Sequence, residues 1–245
     1  MKIDVLGVNF DSLTPDEAAR RGAELLAAPG FHYAVTPNPE FLLTAERDDL
    51  FRSILNGADL VLPDGIGVVY SAKLLGTPLQ GRVTGVGFAA DMLAALNETG
   101  GRLFLLGAKP GVAEEAGRRI AAQYPALTVC GTQDGYFSEE ENDRVLQTIR
   151  DAAPDLIFVC LGAPKQEKWI ARFGPQTGAH LAVGLGGVLD VYAGVAQRAP
   201  EAYQKLGIEW LYRLTKEPKR IGRMARLPLV LVKAAKLRVS GKGAD

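Results

Sequence analysis

The stretch PDLIFVCLGAPKQEKWI, residues 154–170, decides the fold class. Residues 156–161 form a continuous apolar run, which predicts a strand that is buried on both faces. A Gly162-Ala163-Pro164 turn follows at once, helical spacing covers residues 164–172, and another apolar strand is predicted at residues 181–183. A buried strand, a helix and a second buried strand in this order predict a right-handed βαβ unit with parallel strands.

The same alternation extends over the rest of the chain. Strands are predicted at residues 3–8, 33–36, 58–62, 103–106 and 127–130, and helices at 112–123, 139–152 and from residue 65 to about 75. Two further helices carry start signals, since Thr14 and Glu17 form a capping box and Asn38 precedes Pro39. The predicted fold class is α/β, a Rossmann-like, mostly parallel sheet with helices on both faces.

Charge is distributed unevenly along the 245 residues. The formal net charge is zero, with 28 basic and 28 acidic residues, but residues 212–245 hold 10 of the basic residues and only 2 of the acidic ones. The tail therefore carries +8 and the remainder −8, a split that is typical of a segment that meets an anionic partner. We predict an α/β core over residues 1–195 and a basic, helical C-terminal appendage over residues 196–245.

The composition indicates which cellular compartment the protein occupies and which metal sites are not expected. No apolar run reaches the length of a membrane span, and we expect no export signal at the start of the chain. Cys130 and Cys160 each end an apolar run, which favours small buried side chains in a reduced compartment over a disulfide. With two histidines and two cysteines, a zinc cage is not expected.

Polar residues stand where two predicted strands end, the place where parallel α/β sheets bind ligands. Thr36 offers a hydroxyl and Asn38 an amide, although Asn38 also has the position of a helix cap. Asp64 lies in a Pro63-Asp64-Gly65 sequence, which either forms an Asx turn or presents a carboxylate to the ligand. A partly desolvated aspartate at this position could act as a general base.

A Gly85-x-Gly87-x-x-Ala90 sequence is a weak match to the dinucleotide fingerprint. No strong strand precedes it, and no acidic residue stands at the expected distance beyond it. A nicotinamide-dependent oxidoreductase is therefore an alternative that rests on this motif alone. The glycines at a helix start could instead bind phosphate, and Arg82 either pairs with a phosphate or a carboxylate or is a surface charge.

Glycine turns leave the predicted strands of the second half at Gly107, Gly135 and Gly162. Glycine lets the backbone approach a ligand closely, and helix N-termini offer N–H groups to a diphosphate, so several such turns at one sheet edge predict a nucleotide crevice. Tyr136 either stacks on the base or packs in the core. Asp190, after a further glycine cluster, either holds a sugar hydroxyl or orients Arg198 or Arg213, or it forms only a structural ion pair.

The tail carries basic residues at three- and four-residue steps beside an apolar stripe; they are Arg213, Lys216, Arg220 and Arg223. Such a face is either solvated or lies on an anionic membrane surface. A non-catalytic nucleic-acid-binding module is a further alternative, but the acidic core and the lack of an aromatic platform argue against it.

Several catalytic signatures are missing from the sequence. Walker A, His-Glu-x-x-His and Gly-x-Ser-x-Gly do not occur, and neither does an Asp-x-Asp that would hold a metal against a nucleotide diphosphate. If a diphosphate leaves in this site, arginines must neutralise it.

Taken in order, these segments resemble the WecG/TagA/CpsF family of bacterial glycosyltransferases (glycosyltransferase family 26). The matching stretches are TPNPEFL, LPDGIGVV, RVTGVGF, FLLGAKPGVAEEA, QDGYF, PDLIFVCLGAPKQEKWI, GLGGVLDVYAG and RAPEAYQKLGIEWLYRLTKEPKRIGRM. They extend from about residue 31 to 224. A short motif such as PDG is unspecific, whereas the ordered set is highly specific.

The resemblance implies an activity. A UDP-sugar donor gives N-acetylmannosamine, or a related N-acetylhexosamine or uronic acid, to undecaprenyl-diphosphate-linked N-acetylglucosamine, with inversion and without a metal or other cofactor. It implies a Rossmann-like core and an appendage that docks on the membrane and completes the site. We therefore expect a cytoplasmic protein, peripheral on the inner face of the cell membrane, that serves cell-surface polysaccharide synthesis such as teichoic acid linkage. It would bind no nucleic acid, and it can self-associate through the tail when no membrane is present.

The resemblance also implies roles for single residues. Asp64 falls on the family's proposed base, and Thr36 and Asn38 lie near the acceptor or donor sugar. Further matching positions are Arg82, Gln166 and Asp190 in the pocket and Arg213, Arg220 and Arg223 in the appendage. In the mechanism that we predict, UDP lies across the strand ends of the second half, and Arg220 and Arg223 meet the charge that grows on it as it departs.

Overall fold

The computed structural model describes residues 1–197, 200, 203 and 227–240. It begins with a β-hairpin of β1 (Lys2–Val5) and β2 (Val8–Asp11), so the prediction of one strand over residues 3–8 is wrong. Leu6 and Gly7 form the turn with φ of +55° and +86°, as a two-residue hairpin turn requires. The sequence did not indicate this turn because leucine rarely adopts a left-handed conformation.

Six strands form the main sheet: β3 (His32–Val35), β4 (Leu60–Val61), β5 (Arg102–Gly107), β6 (Thr128–Gln133), β7 (Leu156–Cys160) and β8 (Leu181–Gly184). Their order is β4-β3-β8-β7-β5-β6, and every neighbouring pair is parallel. All residues of β7 and β8 are buried, as their continuous apolar sequences predict for a sheet covered on both faces. The predicted α/β fold class is confirmed.

The helices are α1 (Pro15–Ala27), α2 (Pro39–Ala45), α3 (Asp49–Asn56), α4 (Ile66–Leu75), α5 (Gly85–Thr99), α6 (Val112–Gln123), α7 (Asn142–Ala152), α8 (Lys165–Phe173), α9 (Val188–Tyr192) and α10 (Leu227–Val239). The capping box of α1 is present: Thr14 Oγ1 accepts from the Glu17 N–H, and the Glu17 carboxylate accepts from the Thr14 N–H. Asp48 caps α3, a helix that the sequence reading did not predict.

Two apolar layers lie on the two faces of the sheet. Phe158 and Val183 join the layer beneath α1, α5, α6 and α9, whereas Val159 and Ala182 join the layer that includes α7 and α8. The chain thus leaves β7 toward one face and its neighbour β8 toward the other. Where adjacent strands diverge in this way, a crevice opens at their carboxyl ends, and ligands bind there.

The last described helix, α10, is packed on the core. Val230 and Ala234 are buried in the same apolar cluster as Val68 and Ala72 of α4. Arg238 donates to the Leu75 carbonyl at 3.3 Å at the end of α4, and Lys233 of α10 forms an ion pair with Glu46 at the end of α2. Among the residues that the structure describes, no helix is long and apolar enough to cross a bilayer.

Candidate active site

The carboxyl ends of the parallel strands bring the predicted core residues to one edge of the sheet. Across this edge lie Asp64 after β4, Thr36 and Asn38 after β3, Asp190 after β8, Gly162 after β7, Gly107 at the end of β5, and Gly135 and Tyr136 after β6. Residues that are up to 154 positions apart in the chain, from Thr36 to Asp190, therefore lie along one edge of the sheet. The predicted arginines Arg213, Arg220 and Arg223 lie outside the described residues.

Asp64 and Thr36 converge on Gly85, the first residue of α5. The Gly85 N–H donates to Asp64 Oδ2 at 3.4 Å, so the carboxylate lies at a helix N-terminus, which stabilises negative charge. A methyl group added to Gly85 would lie 3.3 Å from Thr36 Oγ1 and 3.7 Å from Asp64 Oδ2. The absence of a side chain at Gly85 lets the carboxylate and the hydroxyl face the same small space.

Thr36 is fixed from the neighbouring strand. Its Oγ1 donates to the Gly184 carbonyl at the end of β8 at 3.1 Å, and the side chain is buried. The backbone of Asp64 is held similarly, since its N–H donates to the Pro37 carbonyl at 3.0 Å. The loops after β3, β4 and β8 are thereby tied together, which fixes the positions of Asp64 and Thr36 relative to each other.

Asn38 caps α2, as the cap interpretation of the sequence predicted. Its Oδ1 accepts from the Glu40 N–H at 2.8 Å. The cap does not use the Nδ2 group, which remains a donor that a sugar could meet. Both interpretations of Asn38 are therefore compatible with its geometry.

Arg82 lies in the irregular segment between α4 and α5 and is partly buried. The next residue ties this segment to the turn that carries Asp64, because the Val83 N–H donates to the Pro63 carbonyl at 3.1 Å. Arg82 therefore belongs to the same end of the crevice as Asp64. The segment is not a strand, so the Gly85-x-Gly87 sequence lacks the strand that a dinucleotide fingerprint requires.

Gln166 is buried, and its contacts are with the chain itself. Its Oε1 accepts from the Gly162 N–H at 3.2 Å and from the Gly186 N–H at 3.0 Å, and its Nε2 donates to Glu167 Oε1 at 2.6 Å. One amide thus joins the loops that follow β7 and β8. Its geometry is that of a residue that shapes the pocket.

Glu167 was missed as a functional candidate by the sequence reading. It is 0% exposed, and burial raises its pKa to about 7. Within the part of the chain that the structure describes, its Oε2 has no hydrogen-bond partner. A signal was present, because Gln166 stands three residues before Trp169 and Glu167 stands three residues before Ile170, on the apolar side of α8.

The other half of the edge is built from close backbone contacts. Gly107 has φ of +124°, and a methyl group there would lie 2.4 Å from the Cys160 carbonyl carbon, so only glycine fits. The Gly135 N–H donates to the Ala108 carbonyl at 2.9 Å, and Lys165 Nζ donates to the Gly135 carbonyl at 3.2 Å. The exposed Lys165 thus brings a cation, which the sequence reading did not single out, to the turn that carries Tyr136.

Tyr136 is 70% exposed, so the interpretation of this residue as core packing is wrong. Its backbone N–H donates to Asp134 Oδ1 at 2.8 Å, in an Asx turn that holds the ring outward. Gly162, on the neighbouring loop, has φ of +77° and open space where a side chain would be. An exposed ring beside open glycine backbone suits a planar base and a diphosphate.

Asp190 lies in the first turn of α9 and is partly buried. The position of a methyl group on Gly187 is 3.5 Å from Asp190 Oδ2, so the carboxylate lies over the glycine cluster after β8. Arg198 and Arg213, the two arginines that Asp190 could orient, lie outside the described residues. Within residues 1–197, 200, 203 and 227–240, no group of three or more His, Cys, Asp or Glu side chains could hold a metal ion.

The match to a family model and the names of two relatives show that this α/β protein is a glycosyltransferase. The model of the glycosyl transferase WecG/TagA/CpsF family matches residues 3–244, and the chain belongs to this family. This membership gives no support to the oxidoreductase and nucleic-acid alternatives.

Two relatives carry the same functional name, N-acetylglucosaminyldiphosphoundecaprenol N-acetyl-beta-D-mannosaminyltransferase. The protein of Bacillus spizizenii is 37% identical over 196 residues, which is 80% of this chain and 76% of the relative. The protein of Staphylococcus aureus strain MW2 is 35% identical over 237 residues, 96% of this chain and 92% of the relative.

Proposed function

We propose that this glycosyltransferase moves N-acetylmannosamine, or a related N-acetylhexosamine or uronic acid, from a UDP-sugar to undecaprenyl-diphosphate-linked N-acetylglucosamine. The names of the relatives support the acceptor and the sugar. The observation that carries the chemistry is the convergence of the Asp64 carboxylate and the Thr36 hydroxyl on Gly85 at the carboxyl edge of the sheet.

In the proposed reaction, Asp64 removes the proton from the attacking hydroxyl of the acceptor sugar. The oxygen of that hydroxyl forms a bond with the anomeric carbon of the donor, while the bond from this carbon to the phosphate oxygen breaks and UDP leaves. A single displacement inverts the anomeric centre. General-base help of this kind is worth about 10²–10⁴ in rate. In this proposal Thr36 and Asn38 bind sugar hydroxyls.

The donor nucleotide occupies the other half of the edge in this proposal. Tyr136 stacks on the uracil, and the diphosphate meets the open backbone of Gly162 and Gly135 together with the Lys165 ammonium. The 70% exposure of Tyr136 and the position of Lys165 over Gly135 support this assignment.

No metal takes part in the proposed reaction. Arg220 and Arg223, with Arg213, neutralise the departing diphosphate, as the excess of basic residues in the tail suggests. In sequence, this segment follows Gln197 and precedes α10, which is packed on the core.

The proposed location is the cytoplasmic face of the membrane, where the protein binds peripherally to an anionic surface. Residues 227–240 contain three basic residues and no acidic one, and Leu229 and Val232 are exposed on α10. Apolar side chains beside cations favour an anionic lipid surface. Without a membrane, the same apolar side chains can promote self-association.

A donor panel tests this function. The purified chain is incubated in EDTA with a short-chain lipid diphosphate–N-acetylglucosamine and each of several UDP-hexosamines and uronic acids, and products are identified by mass. We expect transfer from one donor, with the Staphylococcus aureus relative as the positive control. Transfer by the relative alone would contradict the proposed substrates, and transfer that requires an added divalent cation would contradict metal independence.

A further inference from the structure

The loops after β7 and β8 are connected by a single side-chain amide, and that amide is oriented by a buried carboxylate. Gln166 Oε1 can accept from both the Gly162 and the Gly186 N–H groups only while its Nε2 points away from them. Nε2 instead donates a hydrogen bond to Glu167 Oε1, at 2.6 Å. An amide flip would place Nε2 against two backbone N–H donors, and the Glu167 acceptor further stabilises the unflipped orientation because it binds Nε2.

The loop conformations at Gly162 and Gly186 depend on the hydrogen bonds to Gln166 Oε1. Their φ values are +77° and +55°, and a methyl group on either would meet nothing within 4 Å. Neither glycine is thus held by packing on that side, and the hydrogen bonds that their N–H groups donate to Gln166 Oε1 contribute directly to the loop conformation. The two loops flank the strand divergence between β7 and β8.

Burying the carboxyl group of Glu167 is energetically unfavourable. The carboxyl is fully enclosed, and its Oε2 has no hydrogen-bond partner among the described residues. An apolar side chain of similar volume at such a position is commonly neutral or stabilising for the fold. A purely structural role therefore predicts that methionine is tolerated here, whereas a role through Gln166 predicts that it is not.

We propose that Glu167 is a positioning residue for glycosyl transfer: by accepting from Gln166 Nε2, it fixes the amide that holds the two glycine loops of the crevice. Glu167 touches no substrate in this proposal and acts only through Gln166. The kinetic part of the inference rests on the proposed function, whereas the effect on the loops does not.

Three variants separate this role from packing. Glu167→Met removes the acceptor and keeps the volume, and Glu167→Gln restores an acceptor oxygen. Ile170→Ala is the matched packing control, because Ile170 is a buried apolar residue on the same helix that cannot accept a hydrogen bond from Gln166, and its Cδ1 approaches the same face of Gly184 as Glu167 Oε1 does.

The first readout needs no substrate. Native-state amide exchange at Gly162 and Gly186 is expected to be at least about tenfold faster in Glu167→Met, since each loop loses a well-oriented hydrogen bond. It should stay within about threefold of wild type in Glu167→Gln, where the acceptor is restored. Unchanged exchange in Glu167→Met would overturn the inference, whether or not the chain transfers the proposed sugar.

The second readout is kinetic. In Glu167→Met, kcat/KM for the donor is expected to fall at least about tenfold while Tm stays equal or rises. Ile170→Ala should lower Tm yet keep kcat/KM within about threefold of the wild-type value. Glu167→Gln should also keep kcat/KM within about threefold of the wild-type value. Equal impairment of the Gln and Met variants, or wild-type kcat/KM in the Met variant, would contradict a role through Gln166.

Discussion

The Asp64 carboxylate accepts a hydrogen bond of 3.4 Å from the backbone N–H of Gly85. This contact joins the loop after β4 to the first residue of α5. It aligns the proposed base with a helix N-terminus and brings it to the space that Thr36 also faces. The position of the base therefore depends on a residue without a side chain, 21 positions away in the sequence.

We expect Gly85→Ala to reduce transfer without unfolding the protein. The added methyl group would lie 3.3 Å from Thr36 Oγ1, which is held by the Gly184 carbonyl, so the neighbouring groups must shift by a few tenths of an ångström. A small displacement of the base should lower kcat about tenfold. The control is Gly81→Ala, since nothing lies within 4 Å of its added methyl group. Equal kcat in the two variants would argue against this account of Gly85.

We expect Tyr136→Ala to weaken donor binding. If the exposed ring stacks on uracil, its removal should raise the Kd of UDP by roughly tenfold, the usual effect of losing one aromatic–base stack. Titration calorimetry with UDP measures this directly. Tyr70→Ala is the matched control, because Tyr70 is also exposed but lies on α4. An unchanged Kd in Tyr136→Ala would remove Tyr136 from the donor site.

The packing of α10 predicts opposite effects for two neighbouring substitutions. Val230 is 0% exposed and Val232 is 51% exposed. Val230→Asp should lower the free energy of unfolding by about 3 kcal/mol or more, since it buries an unpaired charge. Val232→Asp should change it by no more than about 0.5 kcal/mol but should weaken binding to anionic vesicles in a flotation assay. Full vesicle binding by Val232→Asp would exclude this face of α10 from the membrane contact.

The raised pKa of Glu167 predicts that the stability of the protein depends on pH. Its pKa in the folded protein is about 7, above the ordinary value of 4.5, so its favourable contribution is complete below pH 4.5 and is lost as pH rises through 7. Relative to Glu167→Gln, the wild type should lose on the order of 5 °C in Tm between about pH 5 and pH 8. The nearby Asp48–Lys168 and Arg172–Glu139 ion pairs are common to both proteins and cancel in the comparison. A constant difference in Tm would show that Glu167 has the same pKa in the folded and unfolded chains.

The main sheet could be predicted because its strands carry uninterrupted apolar runs. Such runs identify β7 and β8 directly, and strand ends then indicate Thr36 and Asp64. The N-terminal hairpin could not be predicted in the same way, since Leu6 adopts a left-handed turn within an apolar run. Local periodicity does not reveal a turn that is formed by a residue type that is rare in left-handed turns.

Long-range contacts account for most of what the sequence did not reveal at the site. Nothing in the sequence near Asp64 indicates that Gly85 binds its carboxylate, because the contact depends on how α5 returns to the sheet. The assignment of Gln166 to the substrate pocket stays a prediction, and its link to Gly186 depends on the divergence of β7 and β8. Glu167 could have been found from its place on the apolar side of α8.

The most direct test of the central claim compares the transfer rate of the wild-type protein with that of Asp64→Asn, using the donor and lipid-linked acceptor identified by the panel. Asparagine keeps an oxygen that can accept from the Gly85 N–H, so Tm and UDP binding should be preserved. The account predicts that turnover falls by about 10²–10⁴, because the group that removes the proton of the acceptor hydroxyl is lost. Near-normal turnover by a folded Asp64→Asn protein would contradict it.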